Sequence, residues 1–148
     1  MDLNTLAPSK EPVFLQLMHP VTGRLLFMQE KDENGNEVDD INEPIGLMMV
    51  GSDSDEFAAR ERWLIDQRIK RAEEVSKGRK GMEFKGETIQ EERDNTIIAC
   101  IKGFRNIYLD EQRLEFSPDN ARLLLRRLKW LREYLDREIL NRANFIKG

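Results

Sequence analysis

Up to Val50 the apolar residues come in short runs broken by turn residues, and from Phe57 onward they recur at helical spacing. A chain that changes period in this way fits neither an all-β nor an all-α domain, and it predicts an α+β fold with its sheet towards the N-terminus. Val13-Phe14-Leu15-Gln16-Leu17-Met18 reads as a strand closed by the turn-rich His19-Pro20-Val21-Thr22-Gly23, with Arg24 to Gln29 as the returning strand. Gly46-Leu47-Met48-Met49-Val50 completes a small antiparallel sheet of about three strands. The stretch from Glu30 to Glu43 is expected as an acidic loop, with Asn34-Gly35 where positive φ is cheap. The β-rich part thus covers residues 12–51.

A mainly helical part follows. Ser52-Asp53-Ser54-Asp55-Glu56 supplies acceptors for the free amides of a helix start, and Asp53 with Glu56 has the spacing of a capping box. The helix is expected over 53–76, where Ala58, Ile65, Ile69, Ala72 and Val75 define one apolar face, widened by Phe57, Trp63 and Leu64. Three glycines and four bases in 77–86 interrupt the pattern and mark a linker. A second helix is expected from Glu87 to Gly103 on Ile89, Thr96, Ile97, Cys100, Ile101 and Phe104, with Arg93 the one charged residue on that face. A short hairpin near 106–116 leads to Ser117-Pro118, a strong helix start. Ala121, Leu124, Leu125, Leu128, Leu131, Leu135 and Ile139 then continue one face to about Asn144. A break near Arg127 to Trp130 is compatible with this run, although no Gly or Pro demands it. The whole is read as a single domain, 1–148, with 87–146 as its second helical part.

Composition limits the chemistry. One cysteine, Cys100, and one histidine, His19, cannot form an intrachain disulfide or a zinc site, and any Ser-His-Asp or Cys-His pair would have to run through that histidine. Cys100 lies on an apolar helical face and reads as a core thiol, and His19 precedes a proline in a turn. No GxxxxGK[ST] or GxGxxG follows a strand. The acidic loop places Gly35 sixth after Glu30 as in a calcium loop, but Ile41 stands where the bidentate Glu is needed. The expectation is therefore no catalytic residue, no metal and no cofactor. No apolar run approaches a membrane span and the N-terminus lacks the order of a signal peptide, so a cytosolic protein without a membrane partner is expected.

Charge is unevenly placed. Residues 1–56 carry twelve acids and three bases, 57–120 carry thirteen of each, and 121–148 carry eight bases and three acids, giving the formal total of −4. Self-association of an acidic end with a basic end, recognition of two differently charged partners, and simple solvation are the three readings of that polarity. Arg122, Arg126, Arg127, Lys129, Arg132, Arg137 and Arg142 invite a nucleic-acid reading, yet Glu133, Asp136 and Glu138 interrupt them and no aromatic platform accompanies them. Trp63, Trp130, Tyr134 and Phe145 are large residues on charged helices, either core or anchors for another protein.

The order of motifs adds a resemblance. His19-Pro20-x-Thr22-Gly23, then Gly51-Ser52-Asp53-Ser54-x-Glu56-Phe57, is similar to the front half of the tail assembly chaperones of long-tailed bacteriophages. The back half resembles that family more closely, through Gly103-Phe104-Arg105-Asn106-Ile107, Leu114-Glu115-Phe116-Ser117-Pro118-Asp119-Asn120-Ala121-Arg122-Leu123-Leu124, Trp130-Leu131-Arg132-Glu133 and Arg142-Ala143-Asn144-Phe145. The chain departs from the pattern at Phe104, where a tryptophan is expected, and at Leu128-Lys129, where a proline often breaks the helices. The resemblance implies a non-enzymatic factor of the host cytoplasm that holds the tape-measure protein and helps recruit tail-tube subunits, and that is absent from the finished virion. A tail or head-tail connector retained in the particle and a nucleic-acid-binding regulator are the alternatives.

Overall fold

The structure is a computed structural model that describes residues 1–78 and 87–146, so the expected linker lies outside the described residues except for Lys77 and Gly78. In chain order it contains β1 (Val13–Gln16), β2 (Phe27–Lys31), β3 (Glu37–Pro44), β4 (Gly46–Met49), α1 (Asp55–Ser76), α2 (Ile89–Cys100), β5 (Ile101–Arg105), β6 (Tyr108–Leu109), β7 (Gln112–Arg113), α3 (Pro118–Arg127) and α4 (Lys129–Ile139). The architecture is α+β: a three-stranded antiparallel sheet in the order β1-β4-β5, with the helices beside it.

The membership of that sheet differs from the simplest sequence reading. The chain does turn back after β1, with His19 N donating to Arg24 O at 2.8 Å and Leu26 N to Leu17 O at 2.9 Å. The returning segment then leaves β1 and pairs with β3 as a separate ribbon, so the expected acidic loop is largely strand. At its tip the Asp32 carboxylate accepts from Asn34 N and Asn36 N, both at 2.9 Å, and Gly35 takes φ +80°. Asn34-Gly35 between strands is a hairpin signal, which explains why this acidic stretch pairs rather than loops.

The third strand comes from the far side of the helices. α2 stops at Cys100, three residues earlier than its apolar spacing predicts, because Ile101 turns to extended backbone and β5 pairs with the open edge of β4, Leu47 against Phe104 and Met48 against Gly103. Tertiary pairing thus overrides a local helical pattern, and the β-branched Ile101 and flexible Gly103 offer little resistance.

The core joins the sheet to α2, α3 and α4. Leu47, Met49, Ile97, Leu125, Leu131 and Leu135 are buried almost completely, and each such side chain is worth about 1.5–3 kcal/mol relative to exposure. Gly51 lies so close against the Phe145 ring that a Cβ there would overlap it. The expected hairpin forms as β6 and β7, with Asp110 and Glu111 at φ 52° and 65°, the two positive values of a type I′ turn. The break inside the last apolar run falls at Leu128, which carries φ −119° and ψ 85° between α3 and α4.

α1 reverses an expectation. Its start is one residue later than the Asp53 box, with Ser54 Oγ accepting from Phe57 N at 3.2 Å. No residue of α1 is buried, and its half-covered residues include Phe57, Arg60, Leu64, Gln67, Arg71 and Glu74. Of the apolar face read from spacing, Phe57 and Leu64 lie on the covered side, Phe57 against the core, while Ile65, Ile69 and Val75 point outward, 51%, 53% and 78% exposed. A polar network fixes this orientation together with the packing of Phe57: Arg60 donates to Glu87, to Thr96 Oγ1 at 3.3 Å and to Glu92 O at 3.3 Å, so the Arg60 side of α1 is fastened to α2.

Candidate functional site

An apolar cleft of about 430 Å³ has a lining that includes Leu17, Leu26, Phe27, Ile45, Leu128 and Trp130. Three local features build it. The turn at His19 to Gly23 returns Leu26 beside Leu17, and Ile45 N donates to Leu26 O at 3.0 Å, setting one wall. Asn106, at φ 57°, donates through Nδ2 to Glu43 Oε2 at 2.9 Å and Pro44 O at 3.0 Å, tying the β6–β7 hairpin to the end of β3. The break at Leu128 turns Leu128 and the half-buried Trp130 to the opposite wall. Leu124 and Leu131 line it as well, so the cleft is continuous with the core.

The four aromatic candidates separate. Tyr134 and Phe145 are core, 8% and 6% exposed, and the Tyr134 hydroxyl donates to Gln16 O at 3.3 Å. Burial first, and then the charge of Glu138, push the Tyr134 phenol above its ordinary pKa. Trp130 faces the apolar cleft and also lines a smaller, more polar hollow with His19 and Arg137. Trp63 is 42% exposed on α1 with the Arg60 guanidinium 4.7 Å above its ring. The structure therefore leaves Trp130 and Trp63 available to a partner and takes Tyr134 and Phe145 out of reach.

The groups with catalytic chemistry are engaged in structure. His19 Nδ1 accepts from Val21 N at 3.1 Å and Thr22 N at 3.2 Å, closing the first turn. Cys100 is fully buried, and burial followed by the nearby Glu56 pushes its thiol up to about 12. Among the described residues no group of three His, Cys, Asp or Glu side chains is placed to hold a metal ion.

The basic stripe is largely neutralised inside the molecule. Arg132 makes a paired contact with the buried Asp94 at 2.6 and 3.0 Å, Arg142 meets Asp53 at 2.8 Å, Arg122 meets Asp119 at 3.2 Å, and Arg127 meets Asp110 at 3.3 Å. Asp94 escapes the sequence reading because its place on the buried face of α2 was assigned by apolar spacing, which put Arg93 there; Arg93 is exposed. The spacing of Asp94 from Ile97, Ile98 and Ile101 carries the missed signal.

Fold and cleft together define a small α+β protein with an apolar groove in an ionic surface. Comparison with protein-family models, with curated proteins and with solved structures returned no match. No helix among the described residues is long and apolar enough to cross a membrane.

Proposed function

We propose that this chain is a tail assembly chaperone of a long-tailed bacteriophage, a non-enzymatic protein of the host cytoplasm that binds and solubilises the tape-measure protein and helps recruit tail-tube subunits around it. The observation that carries the reading is the apolar cleft beside Trp130, open on a molecule in which 35% of residues are charged. A tape-measure protein presents long apolar helical stripes before its tube covers them, and a groove lined by Leu17, Leu26 and Trp130 suits one or two turns of such a stripe. The ionic exterior would keep the covered client in solution. The order of motifs from His19 to Phe145 supports the same assignment.

Co-expression of tagged chain with tape-measure protein tests it. Wild type captures the client, while Trp130→Ala and the rim variant Met28→Asp, both checked for an unchanged fold, lose most of it. Capture should fall only modestly with added salt, since apolar contact dominates. A loss of several decades between low and moderate salt would point to an anionic partner instead. No capture by wild type, together with detection of the chain in purified particles, would overturn the chaperone reading in favour of a connector.

A further inference from the structure

The tip of the β2–β3 ribbon places a side-chain amide next to a backbone nitrogen with which it can react. Asn34 is the only asparagine of the chain that precedes a glycine. Both Asn34 and Gly35 are exposed, and the Asn34 side chain makes no hydrogen bond among the described residues. Gly35 has no side chain to crowd its nitrogen, and the space that one would fill is empty. The other asparagines are worse placed. Asn95, Asn106, Asn120 and Asn144 have their amides tied to protein acceptors, and the exposed Asn36 and Asn42 are each followed by a glutamate whose side chain crowds the next nitrogen.

Asp32 holds the tip shut. Its carboxylate accepts from Asn34 N and Asn36 N, both at 2.9 Å, its carbonyl accepts from Gly35 N at 3.0 Å, and its own amide donates to Asn36 O at 2.9 Å. The Gly35 nitrogen is thus engaged while the tip is closed and becomes free when it opens. Opening costs little here, because the ribbon buries no side chain from Gln29 to Asp39.

We infer that Asn34-Gly35 is a site of spontaneous deamidation, and that Asp32 sets its pace by keeping the tip closed. In the open tip the Gly35 nitrogen gives its proton to solvent and attacks Asn34 Cγ. The N–Cγ bond forms, the Cγ–Nδ2 bond breaks, and Nδ2 takes up solvent protons and leaves as ammonium. One water then opens the cyclic imide, at Cγ to give aspartate or at the backbone carbonyl carbon to give isoaspartate. The net change turns an amide and a water into a carboxylate and ammonium, with nothing oxidised or reduced. Isoaspartate runs the backbone through its β-carbon and so lengthens the path between β2 and β3, which breaks the alignment of Asp32 N with Asn36 O. Either product adds a negative charge to an acidic ribbon. The site uses neither the cleft nor a client, so it does not rest on the chaperone reading.

Incubation of the full chain at neutral pH and physiological temperature, followed by peptide mass mapping, tests the inference. The mass gain of amide-to-acid conversion should appear first at Asn34, with a share of isoaspartate that protein isoaspartyl methyltransferase labels, and it should build up faster as pH rises. Asn34→Ser should abolish conversion at the tip. Asp32→Ala loses the two hydrogen bonds to the carboxylate and should speed conversion roughly tenfold. Asp32→Asn keeps an acceptor oxygen and should stay near the wild-type rate. Asn34 remaining an amide while the urea-unfolded chain converts there, or earlier conversion of any other asparagine in the folded chain, overturns the proposal. Equal rates in Asp32→Ala and wild type overturn the part given to Asp32.

Discussion

Asp94 and Cys100 are both buried on α2, and each behaves according to what surrounds it. Asp94 is 5% exposed and accepts from Arg132 twice and from Gln90 Nε2 at 3.2 Å, so its charge is buried but compensated. Asp94→Ala would leave the Arg132 guanidinium enclosed without its counter-charge, and a chemical-denaturation curve should show a loss of about 3–5 kcal/mol. Cys100 has no such partner, and desolvation raises its thiol from the ordinary 9.0 to about 12. The folded protein therefore keeps a proton that the unfolded chain releases above pH 9.0, so stability falls as pH rises towards about 12, by up to roughly 1.4 kcal/mol per unit. Below pH 9.0 this contribution is constant. Urea midpoints measured across the alkaline range should fall less steeply in Cys100→Ala than in wild type, and equal slopes would show that other groups govern the alkaline limb.

Among the elements, α3 shows how far local chemistry can be read. Ser117 Oγ accepts from Asn120 N at 3.0 Å and Pro118 occupies the first turn, as the Ser-Pro signature specifies. Ser117→Ala should lower stability by roughly 0.5–2 kcal/mol in a thermal melt, and an unchanged melt would mean that the amide finds another acceptor. α1 and β5 were not legible in the same way. The apolar spacing of Ala58, Ile65 and Ile69 identifies a face but not the direction in which it points, because the direction is set by the long-range contacts of Arg60 with Glu87 and Thr96. Ile101 to Arg105 satisfies a helical period as well as a strand, and only the open edge of β4 chooses between them. Of the aromatic candidates, Trp63 and Trp130 stayed accessible and Tyr134 and Phe145 did not, since helical spacing alone does not say which neighbours cover a ring.

Across the whole molecule, stability should be unevenly distributed. The sheet β1-β4-β5, α2 and α4 share the buried cluster, whereas the β2–β3 ribbon exposes nearly every side chain beyond Phe27 and Met28. Native-state hydrogen exchange should therefore find the slowest amides in α2, β5 and α4, and the ribbon amides from Gln29 to Asp39 should exchange well before global unfolding. Uniform protection across both would show that the ribbon is part of the cooperative core.

Legible in the residues alone were the α+β class, the turn at His19 to Gly23, the Ser117 cap, most core side chains of the last two helices and the inability of one histidine and one cysteine to build a zinc site or an intrachain disulfide. Each of these depends on residue type and near-neighbour spacing, which the chain carries locally. Tertiary structure alone decided that β5 joins the sheet, that Asp94 is buried under Arg132, and that α1 shows Ile65 and Ile69 to solvent. Those outcomes turn on pairings between segments tens of residues apart, where a free strand edge or one buried counter-charge outweighs the few tenths of a kcal/mol per residue that local propensity supplies.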